Sequence, residues 1–356
     1  MKNFIKMMLS FALVCSLLVG CGAAGDGKAG SASGSAVAGD GKISVVTTIF
    51  PEYDWVRQIV GENSNVDLTL LLDDGVDLHS FQPTADDIVK IASCDVFIYV
   101  GGESDGWVED ALAEAVNPNM KVINLMEVLG DTVKEEEVVE GMEHEHEHEA
   151  EEAEEHEHEH EGEEAEEHEH EAEEAEEHEY DEHVWLSLRN TATLVTKISE
   201  DLQAVDQANA ESYKKNTETY LASIKELDQK YEDTVKAAEK KTLLFGDRFP
   251  FRYMVEDYDL DYFAAFTGCS AESEAAFETI TFLAGKVDEL GLSAIMQIET
   301  ADGKLAETVK ENTKTKDQEI LTLDSLQSTT QSDVDSGKTY MSAMEKNLEV
   351  LKKALS

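Results

Sequence analysis

The chain has 356 residues and a formal net charge of −50, with 78 acidic against 28 basic side chains. This acidity argues against nucleic acid and anionic substrates as partners, and it favours cations. The length suffices for two domains of ordinary size.

The N-terminus has the features of an export signal. Lys2 and Lys6 precede an apolar run, residues 7–19, that is too short for an ordinary membrane-spanning helix. The Leu-Val-Gly-Cys that follows resembles a bacterial lipobox, which implies that residues 1–20 form a signal peptide and that Cys21 is lipidated. Residues 21–42 are rich in Gly, Ala and Ser, so we expect a flexible tether. The protein is thus expected outside the cytoplasm, held by lipid on the outer face of the cytoplasmic membrane.

From residue 43 the sequence alternates between strand and helix patterns. Apolar, β-branched runs predict strands, and the segments between them have helical periodicity with Pro or Thr near the start. Strands are predicted at 43–49, 66–72, 95–100 and 121–125, and helices at 51–60, 84–91 and 107–116. This alternation predicts βαβ units in a parallel sheet.

A repeated His/Glu tract, residues 143–179, interrupts this pattern. It contains nine of the eleven histidines and no apolar side chain larger than alanine, so we expect a disordered insertion at 135–181. Its imidazoles indicate weak auxiliary binding of divalent metal ions, with a solvated acidic linker as the alternative. The histidines concerned are His144, His146, His148, His156, His158, His160, His168, His170 and His178. Matches to the H-E-x-x-H pattern of zinc peptidases inside the tract follow from its composition alone.

A long helix and a second strand–helix series follow the tract. Residues 208–239 contain neither Gly nor Pro and have helical periodicity, and Asp206 is the expected N-cap. Further strands are predicted at 242–245, 262–265, 293–298 and 319–323, with helices at 274–290 and 338–355. We therefore predict an α/β fold in which two parallel-sheet lobes, 43–205 and 241–356, are joined by a long rigid helix at 206–240. A single larger α/β domain is the alternative.

Only two histidines, His79 and His183, lie outside the tract, so an ordered metal site needs additional ligands. His79 follows a predicted strand of the first lobe. Asp247, Glu299 and Asp302 follow predicted strands of the second lobe. Ligands in open α/β sheets bind beyond the carboxyl ends of the strands, so we expect these side chains to meet in a cleft between the lobes. The alternatives are hydrogen-bonded surface histidines and carboxylates that cap turns.

Two cysteines, Cys94 and Cys269, remain after the signal segment and its lipobox. An exported protein permits a disulfide between them, and two buried thiols fit the sequence equally well. Neither is assigned to the metal site, so Cu(I), which prefers Cys or Met, is not expected there.

Several segments together resemble the zinc/manganese group of solute-binding proteins that feed ABC importers. They are TTIFPEYDWVRQIVG, HSFQPTADDIVKIASCDVFIYVGG, DEHVWLSLRN and YMSAMEKNLEVLKKAL, with the acidic insertion and the long helix between them. The resemblance covers residues 43–355 and implies His79 and His183 as the first two ligands. It implies a carboxylate ligand at Asp302, with Glu299 as the alternative, and a third ligand within FGDRF. Gly246 stands where that third ligand is expected, and Asp247 is inferred as its substitute.

The resemblance implies a monomeric, non-enzymatic lipoprotein that captures Zn²⁺ and delivers it to a membrane permease and its ATPase. Manganese is the alternative cargo, because carboxylate oxygen suits Mn²⁺. Two other classes stay open. One is a surface metal buffer or adhesin without a transport role, and the other is a zinc hydrolase with an open coordination position and a general base.

Overall fold

Two parallel β-sheets organise the chain. The computed structural model describes residues 42–63, 65–142, 179–270 and 274–356. Within these ranges each sheet has four strands, and every strand pair is parallel. The predicted α/β fold with two parallel-sheet lobes is therefore confirmed.

The first lobe contains a sheet of order β2-β1-β3-β4. Its strands are β1 (Ile43–Thr47), β2 (Val66–Leu70), β3 (Val96–Tyr99) and β4 (Lys121–Asn124), and its helices are α1 (Phe50–Val60), α2 (Ala85–Ser93), α3 (Val108–Ala113) and α4 (Leu125–Leu129). The central strands β1 and β3 are more buried than the edge strands β2 and β4. Thr84 caps α2, since its hydroxyl accepts a hydrogen bond from Asp87 N.

Two consecutive helices, α5 (Leu188–Val205) and α6 (Ala210–Ala237), connect the lobes. The 28 residues of α6 span about 42 Å. Asn216 Nδ2 donates to Ile59 O of the first lobe at 3.0 Å, and Tyr231 OH donates to Met344 O of the second at 2.6 Å. The prediction that Asp206 is the N-cap of the long helix is wrong, because Asp206 ends α5 and Asn209 precedes α6.

The second lobe repeats the architecture with a sheet of order β6-β5-β7-β8. Its strands are β5 (Thr242–Phe249), β6 (Asp261–Thr267), β7 (Ala294–Ile298) and β8 (Glu319–Leu323), and its helices are α7 (Arg252–Tyr258), α8 (Phe277–Leu290), α9 (Lys304–Glu311), α10 (Gln331–Asp335) and α11 (Tyr340–Ala354). Strand β5 is longer than predicted, and its register shifts between Phe245 and Arg248. None of the helices in the described ranges has the length and apolar character needed to cross a membrane.

The segment before α5 lies between the lobes. Trp185 is fully buried there, and its Nε1 donates to Ser325 O at 2.9 Å. Tyr340 OH donates to Trp185 O at 2.7 Å, and Tyr253 OH donates to Asp181 O at 2.7 Å. On the side of the first lobe, Ser104 N donates to Glu182 Oε1 at 2.8 Å, so both lobes hold this segment in place.

The edges of the predicted insertion belong to this ordered region. Glu135 and Tyr180 form an isolated antiparallel bridge. Asp181 N donates to Lys134 O at 2.9 Å, and the backbone N of residue 136 donates to the carbonyl of residue 179 at the same distance. Residues 135–142 and 179–181, which the sequence placed in the disordered insertion, are therefore part of the fold. The remaining residues of the tract lie outside the described ranges.

Candidate metal centre

The two histidines outside the tract meet between the lobes. His79 lies in a short 3-10 helix, Leu78–Ser80, beyond the carboxyl end of β2, where the Asp77 carboxylate accepts a hydrogen bond from His79 N at 3.1 Å. His183 is fully buried and directly precedes a second 3-10 helix, Val184–Leu186. The Nε2 atoms of the two imidazoles are 3.2 Å apart.

A hydrogen bond on the opposite side of each ring orients it. His79 Nδ1 shares a 2.7 Å hydrogen bond with Ser104 Oγ, and His183 Nδ1 donates to Asp181 Oδ1 at 2.9 Å. Such partners are typical of metal-ligating histidines, because they fix the tautomer and leave the other nitrogen free. Two nitrogens on a tetrahedral Zn²⁺ would lie about 3.3 Å apart, given Zn–N bonds of about 2.0–2.1 Å. The observed separation therefore fits two imidazoles that share one metal ion.

The charges around the imidazoles favour a single cation between them. Burial, and next the proximity of His183, lowers the pKa of His79 well below its usual value. Burial also acts to lower the pKa of His183, but the carboxylates of Asp181 and Glu182 outweigh it, so this pKa is raised. The opposite directions of these two pKa shifts favour one positive charge at the site over two imidazolium rings side by side.

A cysteine completes the group. Within the described residues, one set of three metal-ligating side chains lies close together: His79, His183 and Cys269, whose ligand atoms are all within 4.8 Å of one another. Cys269 is half-buried, and burial raises the pKa of its thiol. Gly268 permits the close approach of this loop, because a Cβ there would lie 3.1 Å from the His183 ring and 2.9 Å from Phe249 O. Cys94 and Cys269 are both free thiols, so of the two alternatives that the sequence left open the structure has the pair without a disulfide.

An amide side chain and an ion pair border the same group. Gln327 is buried; its Oε1 has no hydrogen-bond partner, yet the side chain is near enough to His79 to raise the pKa of that ring. Arg248 forms an ion pair with Asp77, whose Oδ1 lies 4.0 Å from His79 Nε2. Arg248 thereby ties the second lobe to the His79 loop.

The predicted carboxylate ligands are placed elsewhere. Asp302 is exposed and pairs with Lys304, away from the buried imidazoles. Glu299 accepts hydrogen bonds from Ser325 N at 2.7 Å and Ser325 Oγ at 2.8 Å, so it holds the loop that carries Gln327. Both carboxylates are committed to local structure, and the structure does not bring either into the His79–His183 group.

The FGDRF segment contributes differently from the prediction. Asp247 accepts from Ile298 N and Arg248 N, both at 2.9 Å, and so joins the end of β5 to β7. Gly246 faces α9, where a Cβ would lie 2.6 Å from Ala306 Cα. No side chain fits at that position, and Arg248 is the member of the segment that extends to the site.

The sequence reasoning missed Cys269 and Gln327. Both follow strands of the second sheet, β6 and β8, at the same carboxyl edge that identified the other candidates. The prediction included only histidines and carboxylates that follow strands, so it left out the Cys269 thiol, which lies within 4.8 Å of both imidazoles. The auxiliary histidines of the tract and Cys21 lie outside the described residues.

Comparison with known proteins shows the family of the chain. A family profile described as "ZnuA: Zinc-uptake complex component A periplasmic" matches residues 45–354. The chain belongs to this family. The zinc-uptake protein ZnuA of Bacillus subtilis is 31% identical over 325 residues, which cover 91% of each chain.

Two streptococcal proteins of the ZnuA family are also similar. The zinc-binding protein AdcA of Streptococcus pyogenes is 30% identical over 320 residues, 89% of this chain, and the match spans 56% of that protein's length. The crystal structure of the Zn(II)-bound ZnuA-like domain of Streptococcus pneumoniae AdcA has a TM-score of 0.65 at 25% identity, and the match covers 88% of this chain and 99% of that domain. The chain thus spans about half the length of the S. pyogenes relative and nearly all of the solved domain.

Proposed function

We propose that this protein captures Zn²⁺ outside the cytoplasm and delivers it to the permease and ATPase of an ABC importer. The observation that supports this function is the pair of imidazoles between the lobes, with Nε2 atoms 3.2 Å apart and a hydrogen bond behind each ring. Two lobes around a pair of ligands between them suit capture and release of an ion. The relatives named for zinc binding and zinc uptake support the same cargo.

The proposal includes the expected organisation of the whole chain. Residues 1–20 act as the signal peptide, Cys21 carries the lipid anchor, and residues 21–42 form the tether. The two lobes are 43–205 and 241–356, and the linking segment 206–240 contains helix α6. The protein acts as a monomer. The His/Glu tract gathers metal ions by weak multivalent binding and supplies them to the cleft.

No covalent chemistry belongs to this function. Three relatives are named for zinc binding or uptake, and of the two site imidazoles His183 is fully buried and His79 is half-buried, which suits retention of an ion better than access of a substrate. Zinc is preferred to manganese, because the two protein ligands at the core of the site are imidazoles. Both must bind as neutral rings, so metal affinity falls as the pH drops.

Matched variants test separately how the cleft and the tract contribute to zinc binding. The chain without residues 143–178 should keep one tight zinc site, whereas His79→Ala should lose at least about 100-fold in affinity, more than an outer-shell change costs. His168→Ala, a change of the same kind inside the tract, should leave the tight site unchanged. Metal content and chelator competition measure these outcomes. If the deletion removes all tight binding, the cleft site is wrong.

Transport is tested separately in cells. Loss of the gene should impair growth under zinc limitation, and the wild-type gene should restore it whereas the His79→Ala variant should not. Undiminished zinc uptake in the deletion strain would favour a surface buffer or adhesin instead.

A further inference from the structure

We propose that Cys269 Sγ is the third protein ligand of the captured ion, beside His79 Nε2 and His183 Nε2. The site then holds its metal through two imidazoles and one thiolate. This inference rests on the proposed function and adds to it the chemistry by which the site selects its cargo.

The distances permit this ligand set. The three ligand atoms lie within 4.8 Å of one another before any metal draws them together. Around a tetrahedral Zn²⁺, with Zn–S of about 2.3 Å and Zn–N of about 2.0–2.1 Å, a nitrogen and a sulfur would be about 3.5 Å apart. The Cys269 loop therefore needs to approach the imidazoles by at most about 1.3 Å.

The loop that carries the thiol is anchored for this approach. Cys269 N donates to Glu136 Oε1 at 3.0 Å, and Arg248 Nη1 donates to the carbonyl of residue 270 at 3.4 Å. Gly268 leaves the space beside the His183 ring that any larger residue would occupy. The Cys269 thiol is thus held beside two metal-binding groups. Cys94, in contrast, is buried in the apolar core of the first lobe.

A buried amide provides an independent indication that a ligand belongs here. Gln327 is 3% exposed, and its Oε1 has no hydrogen-bond partner although the side chain contacts the His79 environment. A buried polar atom without a partner is costly and calls for an unseen ligand or water. An amide oxygen in this place offers a fourth, neutral donor, so the thiolate is the one anionic ligand of the set.

The ligand set determines the preference for metal. Thiolate is a soft ligand that selects Zn²⁺ and other thiophilic ions, whereas Mn²⁺ prefers carboxylate and carbonyl oxygen. Binding replaces the S–H bond of Cys269 by an S–metal bond and releases the proton to solvent, so the ion and its thiolate carry a net charge of +1. The buried carboxylates of Asp181 and Glu182 offset that charge.

The decisive measurement uses the full-length protein loaded with Co²⁺, because a cobalt–thiolate bond produces a near-ultraviolet charge-transfer band. The nine histidines of the tract cannot produce this band. Wild type and Cys94→Ala should show the band, and Cys269→Ser should not, although the Cys94 thiol persists in that variant. We expect Cys269→Ser to weaken Zn²⁺ binding by at least about 100-fold, which exceeds the usual cost of changing a residue that only hydrogen-bonds a metal ligand.

Two further measurements do not depend on the folding of the serine variant. Zn²⁺ should slow alkylation of Cys269 in the wild-type chain, as mapped by mass spectrometry. Cys269→Asp should bind metal without the thiolate band and with a preference shifted from Zn²⁺ toward Mn²⁺.

The possible outcomes distinguish the role of Cys269 as a ligand from the zinc-receptor function on which it rests. A missing band in the wild type, or a band that persists in Cys269→Ser, overturns the thiolate ligand. If His79→Ala and His183→Ala lose tight zinc but Cys269→Ser does not, the zinc receptor stands and the role of Cys269 fails. If none of the three changes weakens tight binding, both proposals fail.

Discussion

Replacing Asp181 by asparagine is the most direct test of how the protein supports its imidazoles. The carboxylate accepts hydrogen bonds from His183 Nδ1 at 2.9 Å and from His183 N at 2.8 Å. An asparagine oxygen can accept both bonds, so the ring should keep its orientation. The negative charge that raises the pKa of this imidazole is removed, however, and the ring becomes a weaker metal ligand.

The expected loss of zinc affinity is taken from residues that hydrogen-bond the ligands in other metal sites. Their removal costs about 10–100-fold in metal affinity, which corresponds to about 1.4–2.7 kcal/mol of binding free energy. Competition with a chromophoric zinc chelator at neutral pH measures this loss, and thermal unfolding without metal shows whether the fold is intact.

Asp257→Asn serves as the matched control. Asp257 is a half-buried carboxylate that accepts a hydrogen bond from Ser187 Oγ at 2.5 Å instead of from a histidine. Its substitution should leave zinc affinity unchanged. The reasoning is refuted if Asp181→Asn binds zinc within about twofold of wild type, below the range for outer-shell changes, or if Asp257→Asn weakens binding to the same degree.

Two further changes test the electrostatics of the fold. Burial raises the pKa of Glu52 from 4.5 to about 8, so between these pH values the folded chain keeps a proton that the unfolded chain loses. The protonated carboxyl therefore contributes its full stability below pH 4.5, and this contribution declines as the pH rises to about 8. Glu52→Gln should flatten this decline in the free energy of unfolding, which is on the order of a few kcal/mol, whereas the exposed control Glu109→Gln should not. Urea unfolding at several pH values measures the decline, and an unchanged pH profile in Glu52→Gln would count against the buried proton. Arg248→Ala removes the ion pair with Asp77 and should lower the free energy of unfolding by about 1.5–3 kcal/mol, the value of a hydrogen bond between charged groups. Arg248→Lys should recover part of this, and an unaltered urea midpoint in the alanine variant would show that the pair does not stabilise the folded chain.

Local patterns were sufficient for most of the secondary structure. Strand β8 (Glu319–Leu323) has the predicted bounds, and α6 differs from its prediction by two residues at each end. Both elements depend on the spacing of apolar residues, which is a property of the segment itself. Asp206 shows where this fails, because a carboxylate between two helices suits the end of one as well as the start of the next.

The edges of the insertion could not be predicted from the sequence. Its composition correctly marks a segment that cannot form a core, but composition does not locate the edges. The bridge between Glu135 and Tyr180 and the burial of Asp181 arise from contacts with the lobes on either side. Those contacts join residues far apart in sequence, so no local window contains them.

The sequence by itself determined the class of fold, the long helix, and the two framework histidines, because periodicity and a count of imidazoles are readable without coordinates. Only the tertiary structure decided which side chains surround those histidines. A carboxylate after a strand can ligate a metal or hold a neighbouring loop, and Asp247 and Glu299 hold loops. Cys269 and Gln327 come close to His79 because four loops from two sheets converge between the lobes. That convergence is set by the packing of the lobes against α6 and the segment around Trp185.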